Sequence, residues 1–324
     1  MKIVLPGGTG HVGTLLARAL HRDGHEVVVL SRTPRAATPE APWRTVAWDG
    51  KTVGPWAAEF EGADAVVNLA GRSVNCRYHA RNLGEMMASR IDSTRAVREA
   101  VARAARPPRV WLQASTATLY AHHLGTEQDA PNGEEGQIGG GEPGAPRLWD
   151  ASIEIAKAWE REACGDGLLP ATRLVLLRTA IVMETAPGGP FAILRNLARL
   201  GLGGKLGNGR QYVSWIHGAD FVRAVLWLIG NDRIAGVVNV AAPEPLPNAA
   251  FMRALRRACG VPLGIGLPAP AWLLEIASFF LRTETELVLK SRRVVPERLL
   301  REGFAFRFPA WPGAALDLCR NPQD

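Results

Sequence analysis

The sequence is poor in cysteine, tyrosine and lysine, and it has no long apolar run. Its four cysteines stand far apart without a C-x-x-C pair, which favours neither a zinc site nor a disulfide framework. Scattered thiols are typical of a reducing compartment, so we expect a cytoplasmic protein. No stretch reaches the roughly 20 apolar residues that cross a bilayer, and no cleavable leader precedes the first apolar run. We therefore expect neither a membrane partner nor a secretory signal.

Acidic residues are the minority among the charged ones. The 38 basic and 31 acidic residues give a net charge of +7. The basic residues, most of them arginine, are spread along the chain and do not alternate with aromatics, which argues against a nucleic-acid partner. The excess favours attraction of small anionic molecules, with a solvated surface as the alternative. The histidines are dispersed and no carboxylate cluster has ligand spacing, so we expect no metal site.

The 324-residue chain is 47% hydrophobic, which is enough for a large core. Short continuous apolar runs, typical of buried parallel strands, alternate with helical patterns. The runs are residues 2–5, 26–30, 65–69, 109–114, 173–178 and 237–240. The clearest helical patterns are residues 12–22, 86–105 and 152–164. This alternation predicts an α/β protein with a Rossmann doubly wound parallel sheet, covered by helices on both faces.

A glycine-rich turn follows the first apolar run. It reads Gly7-Gly8-Thr9-Gly10-His11-Val12-Gly13, and a helical pattern and a second apolar run come next. Glycines in this context allow a tight turn and close approach of a pyrophosphate, and the following helix offers free N–H groups at its start. An ordinary glycine-rich loop is the alternative. The predicted dinucleotide contacts are Gly7, Thr9, Gly10, His11, Val12 and Gly13.

The second predicted strand ends in Leu30-Ser31-Arg32. NAD-specific sheets carry an acidic residue at this place, where it binds the ribose hydroxyls. Without a carboxylate there, Arg32 is able to pair with a 2′-phosphate and Ser31 to donate a hydrogen bond. The sequence therefore favours NADP as the cofactor, with a surface arginine in the turn before Pro34 as the alternative.

The pattern changes after Val182. Residues 1–182 form the predicted NADP-binding domain, to which the run near 237–240 returns. Glycine-rich turns and proline-punctuated helices predict a smaller, mainly helical C-terminal substrate lobe from residues 183–236 and 243–324. Residues 124–147 are rich in glycine, proline and glutamate, which predicts a long surface loop.

Further segments, spread over nearly the whole chain, match the sequence pattern of a known protein family. They are residues 48–50, 65–71, 89–94, 200–204, 207–211, 215–217 and 294–304. With the glycine turn, they make the sequence resemble the extended short-chain dehydrogenase/reductase superfamily, and more narrowly its epimerase-family subgroup. That subgroup is similar to the sugar-nucleotide epimerases of the NAD-dependent epimerase/dehydratase superfamily. The resemblance implies the fold far more closely than it implies a substrate.

The resemblance adds residues to the cofactor site. It implies that the segment after the fourth strand lies against the adenine and ribose. It also implies that Glu85 and Arg90 on the next helix face the cofactor, although an exposed helix pair is the alternative. Val182 matches a backbone contact near the nicotinamide. The segment after the fourth strand is Asn68, Leu69, Ala70 and Gly71.

The acid–base pair of the family's standard mechanism is missing. Similar proteins use a tyrosine four residues before a lysine, whose charge lowers the tyrosine pKa. Here the helix carries Lys157, but Ile153 stands at the tyrosine position. Lys157 is still able to bind ribose hydroxyls; a solvated helix lysine is the alternative.

Ser115 and Thr116 follow the fourth long apolar run and resemble the family's Ser/Thr segment. Tyr120 is the nearby phenol, with His122 and His123 beside it. Tyr120 is a substitute acid–base candidate, and a packed ring that closes the turn is the alternative. The predicted catalytic residues are thus Ser115, Thr116, Tyr120 and Lys157.

The segment 209–217 of the second lobe offers substrate-binding candidates. Arg210 supplies planar, bidentate donors suited to phosphate or carboxylate, and Gln211 follows it. His217 is a further candidate, although a structural hydrogen bond is the alternative at such a position.

Two functions stay open. The first is an NADP-dependent oxidoreductase or epimerase-like enzyme acting on a small-molecule substrate, for which phosphorylated or nucleotide-linked compounds are candidates. The second is a catalytically silent NADP(H)-binding sensor or regulatory protein, which the isoleucine at position 153 would suit. Extended members of the superfamily are often dimers, so a C₂ homodimer is the first assembly to test.

Overall fold

A seven-stranded parallel sheet forms the centre of the molecule. The computed structural model describes residues 1–122, 130–142, 145–165, 171–275 and 284–320. In chain order the strands are β1 (Lys2–Pro6), β2 (Glu26–Ser31), β3 (Arg44–Ala47), β4 (Ala65–Asn68), β5 (Val110–Thr116), β6 (Arg173–Thr179), β7 (Ile181–Met183), β8 (Tyr212–Val213), β9 (Trp215–His217), β10 (Gly236–Val240) and β11 (Leu246–Pro247). The central sheet has the order β10-β6-β5-β4-β1-β2-β3, with parallel pairing throughout. The predicted Rossmann doubly wound fold is confirmed.

The sequence of each inner strand explains its place. Strands β1, β2 and β4 consist mainly of valine, isoleucine and leucine that are shielded on both faces, as a sheet covered by helices requires. Strand β3, which the apolar runs did not reveal, is one of the two edge strands of the sheet. Its Arg44-Thr45-Val46-Ala47 sequence is half-exposed, so it carries no continuous apolar signal.

Seven helices of the described chain are long enough to cover the sheet or build the second lobe. They are α1 (His11–Arg22), α2 (Ala80–Arg103), α3 (Leu148–Cys164), α4 (Pro190–Arg199), α5 (Gly218–Gly230), α6 (Asn248–Ala258) and the C-terminal helix Trp311–Arg320. The apolar sides of α1 and α5 share one core with Val27 and Val29, and that of α2 shares the other with Val4, Val28 and Ala163 of α3. Helix α5 therefore covers the sheet, although the sequence placed its residues in the second lobe.

A separate core holds the second lobe together. It contains side chains from α4 and α6 and from the C-terminal helix Trp311–Arg320. Phe251 of α6 stacks on Trp311, with ring centroids 3.9 Å apart, and Trp215 of β9 meets the same indole edge-on at 5.0 Å. Two small sheets, β7 with β9 and β8 with β11, join this lobe to the end of β6.

The segment predicted as a long surface loop is partly packed against the protein where it is described and partly exposed. Residues 123–129 and 143–144, with His123 among them, lie outside the described residues. Asn132 is buried, and its amide and carbonyl hydrogen-bond the backbone of Arg293 and Val295. Ile138 pairs with Tyr120 through an isolated bridge. Gly133 and Gly139 of the segment are buried, and Glu134 accepts a hydrogen bond from the Asn239 amide of β10 at 2.9 Å. Gly140 and Gly141 are exposed, so the prediction of a surface loop describes only part of the segment.

No helix among the described residues combines the length and the apolar character that crossing a membrane requires.

A fully buried aspartate in the first turn of α5 fixes the chain that leads into the C-terminal helix. The carboxylate of Asp220 accepts hydrogen bonds from the amides of Arg307 and Phe308, at 2.9 and 2.7 Å. Arg223, one turn further along α5, donates to the same carboxylate at 2.7 Å. The charge is thus surrounded by donors and also lies favourably at the helix start.

Replacing this carboxylate should destabilise the fold. Asp220→Ala leaves two amides and a guanidinium without their acceptor, so we expect the free energy of unfolding to fall by about 3 kcal/mol in urea denaturation. The matched control is Asp232→Ala, since Asp232 is an exposed partner of Arg173 at 3.5 Å. That change should cost less than about 1 kcal/mol. Equal, small losses at both positions would contradict the anchoring role.

Candidate functional site

The glycine-rich turn is built on two close approaches of backbone to backbone. Gly7 has φ +74°, and a Cβ there would lie 2.6 Å from the Cα of Ala70 in the turn after β4. A Cβ on Gly13 would lie 2.6 Å from the Cα of Gly8. Only glycine fits at these two positions, so the turn after β1 packs directly under α1 and beside the turn after β4. Gly10, by contrast, would tolerate a Cβ, which would lie 3.7 Å from the Gly7 carbonyl oxygen.

The first turn of α1 presents amides that have no partner among the residues that the structure describes. Gly10 is the N-cap and offers no side-chain hydrogen bond, and the first turn contains no acidic residue. Thr9 and Gly10 are both exposed at the carboxyl edge of the sheet. Uncapped amides and the positive end of the helix dipole at this edge form a site suited to a pyrophosphate. Val12 and Gly13 lie in the same first turn.

His11 connects this turn to the second lobe. Its Nε2 lies 2.5 Å from Oε1 of the buried Glu184, which follows β7. The imidazole also fills the space beside Gly189, at the start of α4. Burial pushes the pKa of Glu184 upward, but the hydrogen bonds from His11 and the Ala186 amide outweigh it and hold the pKa below its ordinary value. A carboxylate close to a phosphate site is thus already paired with a side chain, and no motif in the sequence indicated it.

The end of β2 presents arginines rather than a carboxylate. Arg32 and Arg35 are exposed in the turn that follows. The buried hydroxyl of Ser31 accepts from the Thr33 amide and donates to the Thr33 carbonyl, each at 3.2 Å. Ser31 therefore shapes the turn instead of holding its hydroxyl ready for a ligand, whereas Arg32 projects from the strand end.

The turn after β4 is held by an amide side chain. Asn68 is fully buried; its Nδ2 donates to Gln113 Oε1 at 2.9 Å, and its Oδ1 accepts from the Ala70 amide at 3.1 Å. The Leu69 amide donates to the Pro6 carbonyl at 2.9 Å. Asn68 thus positions the backbone that packs against the glycine turn. Its side chain acts on that backbone rather than on open space.

Arg90 and Glu85 point in different directions from α2. The Arg90 guanidinium donates to the Arg72 carbonyl at 3.1 Å, stacks over the Trp159 ring and lies beside Gly71. Burial lowers its pKa to about 10. Glu85 is exposed, and its pKa is lowered by the hydrogen bond from Arg81 and by the charge of Arg72. Arg90 therefore braces the turn that contains Gly71, and Glu85 belongs to a surface ion-pair group.

Tyr120 lies inside a buried polar network. Its hydroxyl donates to Asn239 Oδ1 at 2.7 Å and accepts from Arg178 at 3.0 Å. Arg178 binds both carboxylate oxygens of Glu160, at 2.9 and 2.8 Å, and the Ser115 hydroxyl donates to the same carboxylate at 2.5 Å. Burial raises the pKa of Tyr120. The network joins the ends of β5, β6, β10 and α3, which supports the packed-ring interpretation of Tyr120 over an acid–base role.

The position at which the family carries its tyrosine is buried and occupied by Ile153. Ile153 is 1% exposed and packs in a small cluster with Leu119. A Cβ on Gly139 would lie 2.9 Å from the Ile153 side chain, so the segment around Gly139 covers it directly. Lys157, one turn further, is a third exposed and pairs with Glu154 at 2.9 Å. Lys157 and Tyr120 therefore have different partners. Thr116, the remaining candidate, caps the short 3₁₀ turn Ala117–Leu119.

A buried charged cluster lies beside the residues that the sequence singled out, and the sequence did not predict it. We name it the 286–292 cluster; it comprises Glu286, Lys290 and Arg292 with the groups they touch. The Ser152 hydroxyl donates to Glu286 Oε1 at 2.5 Å. Lys290 Nζ donates to the Thr118 carbonyl at 3.1 Å and lies 3.4 Å from the same Glu286 oxygen. The other oxygen of Glu286 has no hydrogen-bond partner among the described residues.

The charges of the 286–292 cluster are costly to bury. Glu286 and Lys290 are 1% and 2% exposed. Burial lowers the pKa of Lys290, and the Glu286 carboxylate opposes that shift. Burial likewise lowers the pKa of Arg292, whose Nε donates to the Thr118 hydroxyl at 3.2 Å. Ser152 immediately precedes the missing tyrosine position, so the cluster adjoins the place where the family carries its acid–base group. A buried ion pair with one unpartnered oxygen is an arrangement often found at functional sites.

The candidates in the second lobe divide into one exposed and two buried side chains. Arg210 is exposed. Gln211 donates to the carbonyls of Leu206 and Val288, at 2.9 and 3.3 Å, and so ties the 206–211 turn to the 286–292 cluster. His217 is 3% exposed and caps α5 through the Ala219 amide.

His217 is held on every side by protein groups. Its Nδ1 accepts from the amide two residues on, so the proton is assigned to Nε2, which faces Asp317 at 3.3 Å. The ring stacks on Phe308 with centroids 4.0 Å apart. Burial lowers the pKa of His217. These contacts support the structural interpretation of His217. Val182 is equally enclosed, in β7 opposite Ile216 of β9.

The strand order, the glycine turn and the uncapped α1 together define a dinucleotide-binding protein of the Rossmann type. Residues 3–139 match the NAD dependent epimerase/dehydratase family, and residues 269–318 match a domain of unknown function, DUF1731. The chain is 32% identical to epimerase family protein SDR39U1 of Bos taurus, over 98% of each chain. It is 30% identical to epimerase family protein YfhF of Bacillus subtilis, over 95% of this chain and 94% of the relative. The protein belongs to the epimerase family, as the resemblance implied.

A solved structure of a relative has the same fold over its whole length. The crystal structure of human epimerase family protein SDR39U1 with NADPH superposes with a TM-score of 0.82. The sequences are 28% identical, and the match covers 99% of this chain and 100% of the human chain.

Glu160 should be critical for folding because three strand ends depend on it. Glu160→Gln removes the charge that Arg178 faces in the interior, so we expect a loss of about 3 kcal/mol in the free energy of unfolding. Glu162→Gln is the matched control on the same helix, since Glu162 forms a surface pair with Arg95 at 3.0 Å. The control should lose less than about 1 kcal/mol. A tolerated E160Q would contradict the account of the network.

Proposed function

We propose that the protein binds NADP(H) at the carboxyl edge of the sheet. The observation that carries this proposal is an uncapped helix over a glycine turn, next to a strand end with arginines and no carboxylate. The amides at the start of α1 would hold the pyrophosphate, and Arg32 would bind the 2′-phosphate. The human relative with NADPH, similar along the whole chain, supports this choice of dinucleotide.

The cofactor, when bound, supplies hydride transfer at its nicotinamide. Residues of this chain would bind and orient the cofactor. Asn68 and Arg90 keep the two turns in place that shape the adenosine side of the site. Lys157, partly exposed on α3, would bind ribose hydroxyls. Val182 lies in β7 and would bring backbone close to the nicotinamide.

The substrate side would take a small molecule with an anionic group, such as a phosphorylated or nucleotide-linked compound. Exposed Arg210 lies on the 206–211 turn, which Gln211 fastens to the 286–292 cluster. Guanidinium groups suit phosphate and carboxylate. The net positive charge of the chain would favour such substrates in general.

Glu286 and Lys290 would take over the proton transfer that the family's tyrosine performs elsewhere. The pair adjoins the tyrosine position through Ser152, and one Glu286 oxygen has no described partner. Burial lowers the pKa of Lys290, which makes an ammonium group a better proton donor. This assignment makes the protein an oxidoreductase or epimerase-like enzyme.

A catalytically silent NADP(H) sensor is the second candidate. One observation favours it: Ile153, which replaces the tyrosine, is packed and covered by the segment around Gly139. A protein that only binds the cofactor has no need of a proton donor at that place.

Selective binding of NADPH tests the cofactor proposal. We expect NADPH to bind more tightly than NADH, and Arg32→Ala to weaken NADPH binding by about 10- to 100-fold, because a charge-assisted contact is lost. NADH binding should change less than about 2-fold. Arg233→Ala is the control, an exposed arginine just before β10 at the opposite edge of the sheet. Calorimetric titration measures the affinities of the wild type and of both variants for the two dinucleotides. Failure to bind either dinucleotide would overturn the proposal.

Turnover separates the two candidate functions. We expect NADPH oxidation, followed by absorbance, with at least one member of a panel of sugar nucleotides, aldehydes, ketones and quinones. Glu286→Gln should then lower kcat by about 100-fold or more with unchanged NADPH affinity, because proton transfer is lost. The double change Glu286→Gln with Lys290→Met removes both members of the ion pair, so that Arg292 is the remaining charge of the cluster, and it should be equally slow. Glu162→Gln serves as the control. Tight NADPH binding without turnover of any panel member would favour the sensor.

A further inference from the structure

Two cysteines that are far apart in the sequence meet in the second lobe. Cys259 directly follows α6, and Cys319 lies in the last turn of the C-terminal helix. Their sulfur atoms are 3.3 Å apart, and both side chains are partly buried at the rim of the lobe's core. The other thiols are elsewhere: Cys76 contacts the Met86 sulfur, and Cys164 is exposed at the end of α3.

Packing between α6 and the C-terminal helix holds Cys259 and Cys319 next to each other. Phe251 of α6 and Trp311 of the C-terminal helix stack with ring planes 12° apart, and the Trp311 indole donates to the Phe251 carbonyl at 3.0 Å. Leu255 and Leu318 are buried in the same core. Because the helices are fixed along their length, the two sulfurs are held together and need little movement to react.

Positive charge and a sulfur neighbour surround the pair. The hydrogen bond between the two sulfurs lowers the pKa of the Cys259 thiol, and the guanidinium groups of Arg199 and Arg195 act to lower the pKa of both thiols. Those arginines lie on α4, which packs against α6. The thiolate is the form of cysteine that attacks oxidants, and we assign that role to Cys259.

We propose that Cys259 and Cys319 are a redox-sensitive modification site that forms a reversible disulfide under peroxide. The Cys259 thiolate attacks one oxygen of hydrogen peroxide, which forms a sulfenic acid and releases hydroxide. The Cys319 thiol attacks the sulfenic sulfur; an S–S bond forms, and the hydroxyl leaves with a proton as water. In total, two thiols are oxidised and one peroxide is reduced to two waters. A dithiol reductant reverses the reaction.

The disulfide would lock the lobe that carries the 206–211 turn. At the other end of α6, Asn248 accepts a hydrogen bond from the Leu206 amide at 2.8 Å, and the Ala249 amide donates to the Gly209 carbonyl at 2.9 Å. A covalent link between α6 and the C-terminal helix therefore restrains the helix on which that turn is mounted. Cross-linking positions this far apart also restricts the unfolded chain, which raises thermal stability.

Peptide mapping after peroxide treatment tests the proposal on the wild-type chain. We expect differential alkylation and mass spectrometry to find a Cys259–Cys319 cross-link within one molecule, which dithiothreitol removes. The same treatment of the variant Cys76→Ser with Cys164→Ser, which retains only the pair, should raise Tm by roughly 3–6 °C over the reduced form. Cys259→Ser and Cys319→Ser should each abolish the shift.

Three outcomes would overturn the proposal. They are oxidation of Cys259 to a sulfinic or sulfonic acid without a cross-link, a cross-link only between two molecules, and a pair that stays reduced at peroxide concentrations that oxidise Cys164. The mapping is made on the wild-type protein, so it decides the matter even if a serine variant fails to fold.

Discussion

The contact between the glycine turn and the turn after β4 is the constraint on which the site depends. Gly7 leaves no room for a side chain against Ala70, and Gly13 leaves none against Gly8. These approaches bring α1 so close to the sheet that its uncapped amides open at the carboxyl edge, at the place where the strand order reverses between β1 and β4. Asn68 and Arg90 only keep in place a geometry that the glycines permit.

At the position of the family's tyrosine this protein has hydrophobic core. Buried charged side chains, which the sequence did not predict, lie next to it. Ile153 is an apolar side chain, and the segment around Gly139 shields it from solvent. One residue earlier, Ser152 faces the other way and meets Glu286, whose segment comes from the far end of the chain. Polar groups at the end of β5 are thus divided between two networks, one around Glu160 and one around Glu286.

The alternating strands and helices were predictable from the sequence, and the contacts between residues far apart in the sequence were not. Apolar runs marked six of the seven central strands, because a strand buried on both faces must be apolar throughout. The edge strand β3 escaped because it is half-exposed. The glycine turn was predictable because its residues are contiguous. Tyr120 and His217 looked like site residues because residue type does not reveal burial, and Glu286 lies 134 residues from its partner Ser152.

Contacts between charged side chains connect the cofactor edge to the second lobe. His11 is part of the first turn of α1, and its ring touches both Glu184 and Gly189 at the start of α4. His217 caps α5 and faces Asp317 on the C-terminal helix. Because Glu184 is buried and α4 begins only a few residues later, the His11 side chain joins the phosphate turn directly to the lobe that would receive the substrate.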